Sequence, residues 1–285
     1  MRRFLKKHLN RYLPDSVRQS FKRRFAAKFG GAINANLVFE ETASALRCTI
    51  DDVWSFYAPL ACKDDLVHFT TTLPGRAEFY SIAQAAKSGG TLFDIGAHSG
   101  LISALFCAAN SQNRAFSFEP SPILCERLSA IRALNQFGDR MKIEQIGIGE
   151  TSGVTEMLLD PGSGYVQTQR FDQTMWSTPE VVQMRIESIP DAASRLNVIP
   201  QFIKLDIESY EYEAIKGSLE FLARHKPVLF LELHLNYLDQ RNISASTVVQ
   251  MVEECGYRFY AASGLQLKAS ELYDSPLPNV HVIAR

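Results

Sequence analysis

A doubly wound α/β domain with a mostly parallel sheet is the fold this chain predicts, and three stretches carry the prediction. Thr91 to Gly100, TLFDIGAHSG, is an apolar run broken by Asp94 and then a turn framed by Gly96 and Gly100; the apolar LISALFCAA follows directly. That order reads as a buried strand, a glycine turn and a packed helix. Gln201 to Gly217 and Pro227 to His234 repeat the design, each an apolar strand with polar residues at its carboxyl end. Open α/β sheets keep their binding crevices at those ends, and a glycine turn lets a ligand approach the backbone there.

Residues 1–30 form a separate segment. They hold ten basic residues and one acid, Asp15, whereas the whole chain of 285 residues has a net charge of −1. Phe4, Leu5, Leu9, Tyr12 and Leu13, then Val17, Phe21, Phe25 and Phe29 beyond Pro14, make apolar stripes opposite the arginines and lysines. A basic amphipathic segment of this kind is expected on an anionic membrane surface. Docking on the domain, a nucleic-acid-binding arm and an organellar transit peptide are the other readings. No apolar run reaches the roughly 18 residues needed to span a bilayer. The five cysteines are scattered with no CxxC pair, so neither a disulfide framework nor a zinc site is suggested, and a reducing cytosol fits best. At residues 31–75 a helical cap segment is expected, with Asp51 to Leu60 as a short helix and Val67 to Thr72 as a short strand.

The main domain is expected over 76–285. Arg76 to Lys87 is a helix closed by Ser88-Gly89-Gly90 and leads into the strand at Thr91. Ala115 to Glu119 is a second strand, Pro122 to Asn135 a helix, and Met141 to Gly149 a third strand. Residues 151–201 carry little periodicity beyond Val166 to Phe171 and Met184 to Ile189. Ser246 to Cys255 is a further helix, and Tyr257 to Ala262 and Val280 to Ala284 form a closing antiparallel pair.

Chemistry concentrates at the strand ends. Glu119 stands 23 residues after Gly96, where an acid in a βαβ unit accepts hydrogen bonds from both hydroxyls of an adenosine ribose. His98 occupies the place where a dinucleotide fingerprint needs its second glycine, which disfavours NAD. S-adenosylmethionine has no pyrophosphate to cradle, and Asp94, Gly96 to Gly100, Glu119 and the Gly147-Ile148 region supply what it needs. Asp206 and Glu208 interrupt an apolar strand, and Glu232 and His234 lie two residues apart, hence on one face. If the two strands are neighbours, these four side chains converge.

The ordered set FDIGAHSG, SFEPSP, FIKLDIESYEYEAIKG and LFLELH resembles the FkbM-type S-adenosylmethionine-dependent methyltransferases. The resemblance implies a seven-stranded, Rossmann-like class I methyltransferase fold and O-methylation of a hydroxyl on a sugar, glycolipid, polysaccharide or secondary metabolite. On it Asp94, Gly96, Gly100 and Glu119 are cofactor residues, and Asp206, Glu208, Glu211 and Glu232 match later acidic positions; Ala97, His98, Pro120, Gly147 and Ile148 complete the expected cofactor site. The family usually has glycine after the second acid of KxDxEG, where this chain has Ser209.

Asp206, Glu208, Glu232 and His234 are the expected catalytic set, with His234 or Asp206 as base. A divalent ion such as Mg²⁺ on Asp206, Glu208 and Glu232 is the variant reading. The expected partner is a small-molecule or glycan acceptor rather than nucleic acid, and the expected location is cytoplasmic, extended to the inner membrane face by residues 1–30. A catalytically silent membrane-peripheral binding protein and a methyltransferase for RNA or protein are the alternatives.

Overall fold

The computed structural model describes residues 36–169 and 178–285. The basic stripe of residues 1–30 therefore lies outside the described residues, as does the end of the strand expected at Val166 to Phe171. Among the described residues no helix is long and apolar enough to cross a membrane.

The segment before the main domain is an antiparallel sheet and two helices rather than a helical cap. Strands β1 (Leu37–Glu41), β2 (Leu46–Ile50) and β3 (Trp54–Ala58) pair in chain order. The expected helix at Asp51 to Leu60 is instead a turn running into β3. Asp51 and Asp52 sit at φ 50° and 55°, and acids tolerate this left-handed geometry better than most residues do. The acids that looked like a helix cap thus make a hairpin turn. The expected strand at Val67 to Thr72 belongs to the helix Lys63–Thr71, whose first turn holds Asp64 and Asp65. The helix Leu73–Ala86 follows, capped by the Thr72 hydroxyl, which accepts from the Gly75 N–H at 3.2 Å.

Strands β4 (Thr91–Ile95), β5 (Arg114–Phe118) and β6 (Met141–Glu144) then pair in parallel. The helices Leu101–Ala109 and Pro122–Leu134 make the crossovers. What reads as one strand at 141–149 divides, because β7 (Gly147–Ile148) leaves this sheet for a second one. That second sheet, in the order β7-β10-β8-β9, is completed by β8 (Gly153–Leu159), β9 (Val166–Gln167) and β10 (Glu180–Glu187). Met157, Leu159, Met184 and Ile186 are its small core. The helix Ile189–Leu196 is capped by Ser188, whose hydroxyl accepts from the Asp191 N–H.

The chain then returns to the main sheet with β11 (Phe202–Leu205) and β12 (Val228–His234), separated by the helices Glu211–Lys216 and Leu219–His225. After Leu235–Gln240 and Ala245–Glu254 come β13 (Phe259–Tyr260), β14 (Gln266–Leu267), the helix Ala269–Tyr273 and β15 (Asn279–Ala284). The strand order is β14-β13-β15-β12-β11-β4-β5-β6, eight strands rather than the seven expected. The extra one is the short edge strand β14, antiparallel to β13. The strands from β6 to β12 are parallel, whereas β15 is antiparallel to β12 and β13 to β15.

Side-chain alternation divides the main sheet between two cores. Phe93, Ile203 and Leu229 pack with the helices of residues 189–254, whereas Leu92, Ala115 and Phe202 pack with the helices of residues 63–134. From β4 the chain moves outward through β5 and β6, then returns to β4's other side with β11. The reversal opens a crevice beyond the carboxyl ends of β4 and β11.

Candidate active site

A cavity of ≈ 440 Å³ lies at that reversal, within the range of small-molecule sites. The glycine turn forms one end. Gly96 has φ 76°, and a Cβ there would stand 1.9 Å from the Asp206 carbonyl oxygen, so only glycine lets the β4 turn meet the β11 turn. The Gly96 carbonyl accepts from Lys204 Nζ at 3.0 Å. Glu119, 5% exposed, accepts from the His98 N–H at 2.9 Å through Oε2 and from the Ser121 N–H at 3.0 Å through Oε1. Burial pushes its carboxyl up to about 7, although both N–H groups pull the other way. Its oxygens line the cavity with lone pairs left over, alongside Ala97, His98, Pro120, Gly147 and Ile148.

Two predicted cofactor residues do not reach the cavity. Asp94 is fully buried beneath the turn, where its Oδ2 accepts from the Ser103 hydroxyl at 2.6 Å and its Oδ1 lies 4.0 Å from Lys204 Nζ. Gly100 faces the helix Pro122–Leu134, and a Cβ would come within 2.6 Å of Leu128 Cδ2. Asp94 holds the floor of the turn, and Gly100 lets it pack.

At the other end Asp206, Glu208, Glu232 and His234 converge as expected, because β11 and β12 are parallel neighbours with Leu205 opposite Leu231. His234 is nearly buried, and its Nδ1 lies 3.0 Å from Glu211 Oε1. That oxygen also accepts from the Ile207 and Ser209 N–H groups at 3.0 and 3.2 Å. The other ring nitrogen, Nε2, faces Asp206 at 3.6 Å, Glu232 at 3.7 Å and Glu208 at 3.9 Å, while the Tyr237 ring stacks on the imidazole. Burial opposes charge on this ring, but Glu211, Glu232 and Glu208 together raise its proton affinity well above the ordinary histidine range. Burial pushes Glu208 up to about 7, with the Asp206 and Glu232 carboxylates adding to it and His234 opposing.

Ser209 explains itself locally. Glu208 and Ser209 have φ 55° and 79°, the left-handed region where glycine is at ease. Ser209 persists there with Arg241 donating to its carbonyl at 2.7 Å. Its side chain is buried and does not line the cavity.

Several site residues escape sequence reasoning. Lys204 is 4% exposed and donates to Asp206 Oδ2 at 2.9 Å as well as to Gly96. Burial works against its charge, but Asp206 and Asp94 hold it firmly protonated. Its signal was visible as a lone cation in the apolar strand FIKL. His281, Asn279 and Glu78 left none. Glu232 accepts from Asn279 at 2.7 Å and lies 3.3 Å from His281 Nε2, and Glu78 stands 3.5 Å from His281 Nδ1. Burial opposes the Glu232 charge, yet His281 and His234 hold its carboxyl below the usual range. Against burial, Glu232 and Glu78 raise His281 to about 9.

Asp206, Glu232 and His234 place donor atoms within 4.8 Å of one another, so a cation would meet His234 as its third donor rather than the expected Glu208. Lys204 pairs with Asp206, and His234 and His281 both face Glu232. Glu78, Glu232 and His281 form a second such group of donors.

The family profile "Methyltransferase FkbM domain" matches residues 94–259, more than half of the chain. No curated protein matches. Among solved structures, the methyltransferase FkbM from Methylobacillus flagellatus KT is 20% identical, with a TM-score of 0.41 over 69% of this chain and 43% of that one. The precorrin-6Y C5,15-methyltransferase from Geobacter metallireducens GS-15 is 13% identical, with a TM-score of 0.41 over 76% of this chain and 89% of that one. The chain thus spans less than half the length of the first of these.

Proposed function

The chain belongs to the FkbM methyltransferase family, and from that premise we propose that it moves a methyl group from S-adenosylmethionine to a hydroxyl oxygen of a small-molecule or glycan acceptor. The observation that carries this reading is one cavity with two differently equipped ends, the Gly96 turn and Glu119 at one and the His234 cluster at the other. Glu119 would hold the ribose hydroxyls, the 96–98 backbone the methionine part, and Pro120 and Ile148 the adenine. When bound, the cofactor supplies a methyl group on a sulfonium, open to in-line displacement.

The protein's part is to align the acceptor oxygen, exclude water and take the hydroxyl proton. Glu211 fixes His234 through Nδ1, leaving Nε2 to face the cavity as the base. Asp206, braced by Lys204, orients the hydroxyl from the neighbouring strand.

Calorimetric titration tests the cofactor half. S-adenosylmethionine is expected to bind at one site and NAD not at all, and Glu119→Ala is expected to weaken binding about ten- to a hundredfold. Because burial pushes Glu119 up to about 7, wild-type affinity is expected to fall as pH drops through that value and protonation removes an acceptor. Equal affinity in the variant refutes the ribose assignment.

Removing divalent ions is the second check. Turnover is expected to survive EDTA unchanged and to gain nothing from added Mg²⁺ or Mn²⁺, since Asp206 already pairs with Lys204 and Glu232 already accepts from Asn279. Loss on chelation with recovery on Mg²⁺ addition would establish a metal enzyme.

A further inference from the structure

Above the acids, the second sheet lowers β9 over the cavity and leaves polar atoms there with no role in methyl transfer. Gln167 is 5% exposed and lines the cavity; its Nε2 donates to Glu208 Oε2 at 3.3 Å, while its Oε1 is buried with no hydrogen-bond partner. The next residue, Thr168, buries an unpartnered hydroxyl in the same wall. In the same cavity the helix Lys63–Thr71 contributes Asp65, whose buried Oδ2 has no hydrogen-bond partner and stands 3.6 Å from His98 Nδ1.

Buried acceptors without donors are costly until a ligand supplies them. Gln167 Oε1 and Asp65 Oδ2 can only accept, and the Thr168 hydroxyl can do either, so the ligand they fit is rich in O–H donors. Their position is equally specific. The Gln167 amide holds Glu208, and Glu208 lies 3.9 Å from His234 Nε2. Gln167, Glu208 and His234 line one cavity, so a hydroxyl held by Gln167 lies on the His234 side of it.

We propose that Gln167, Thr168 and Asp65 form a hydroxyl-binding subsite that reads a second hydroxyl of the acceptor, vicinal to the one methylated. The inference rests on the proposed methyl transfer and adds to it that a lone alcohol is a poor acceptor and a ring diol a good one. A site built to hydrogen-bond a hydroxyl strongly rejects the analogue lacking it, because its own buried groups are left unpaired.

The test uses the full chain saturated with S-adenosylhomocysteine and titrated with methyl hexopyranosides of the gluco, galacto, manno and rhamno series and their monodeoxy analogues. At least one parent glycoside is expected to bind, and loss of one ring hydroxyl to weaken it tenfold or more. Gln167→Leu and Thr168→Val are expected to cause the same loss while S-adenosylhomocysteine affinity stays within twofold, which also shows that both variants are folded. Glycoside binding by neither series, or equal binding by wild type and both variants, overturns the subsite. A tenfold loss of S-adenosylhomocysteine affinity in Gln167→Leu also overturns it, assigning these atoms to the cofactor. Failure of the wild-type protein to bind S-adenosylhomocysteine overturns the cofactor reading itself and is read from a separate titration.

Discussion

His234→Asn is expected to slow methyl transfer about 10²- to 10⁴-fold while S-adenosylmethionine binding stays within a few-fold of wild type. The separation follows from the cavity's two ends, since His234 lies among the acids and touches neither Gly96 nor Glu119. Single-turnover transfer of a labelled methyl group, beside calorimetric titration, reads both quantities; a variant that loses affinity and rate together would make His234 a binding residue.

A pH profile sharpens the same test. Against the cost of burial, Glu211, Glu232 and Glu208 raise the proton affinity of the imidazole well above the ordinary histidine range, with Asp206 also facing it. Turnover is therefore expected to rise with pH until His234 loses its proton. Stability should move the other way. A histidine whose folded proton affinity exceeds its unfolded one stabilises the fold fully below about pH 6.5 and loses that contribution as pH rises through the raised value. Thermal unfolding of the wild type should decline on the alkaline side more than that of His234→Asn.

Gly96→Ala is expected to cost about 3 kcal/mol or more and to abolish S-adenosylmethionine binding. The added methyl would lie 1.9 Å from a backbone carbonyl, that of Asp206, at a residue with φ 76°, so it meets both a clash and an unfavourable backbone. Relief by movement would separate the β4 turn from the β11 turn and break the Lys204 bridge between them. Gly153→Ala is the control, because nothing lies within 4 Å of a Cβ there and its stability should be close to wild type. Denaturant unfolding of both variants measures the difference, and equal stability would refute the close approach.

How much of this was legible depended on how local the cause was. The apolar runs at Leu92, Phe202 and Leu229 are buried by their own composition, and the strands they predict form, as do the helices after the glycine turns. Glu119 could be found because its spacing from Gly96 is set within one βαβ unit. Asp51 and Asp52 misled because an acid serves a helix cap and a left-handed turn equally well, and only the pairing of β2 with β3 decides between them. β8 was missed because Val154 is apolar yet 68% exposed and Met157, Leu158 and Leu159 run together, so the apolar-polar alternation of a half-buried strand is broken. His281 could not be found at all. It stands opposite Glu232 because β15 pairs antiparallel with β12, and nothing within either strand announces that register.

The cavity's walls also divide along the chain. Gly96, Glu119 and Ile148 at the glycine-turn end, and Asp206, Glu208 and His234 at the acidic end, lie inside the stretch that matches the family profile, whereas Asp65 and Glu78 precede it and Asn279 and His281 follow it. The stretches on either side of the matched one thus meet it around a single cavity. Exchanging those flanking stretches between family members is expected to replace the Asp65, Glu78, Asn279 and His281 contacts while leaving the Gly96 turn in place.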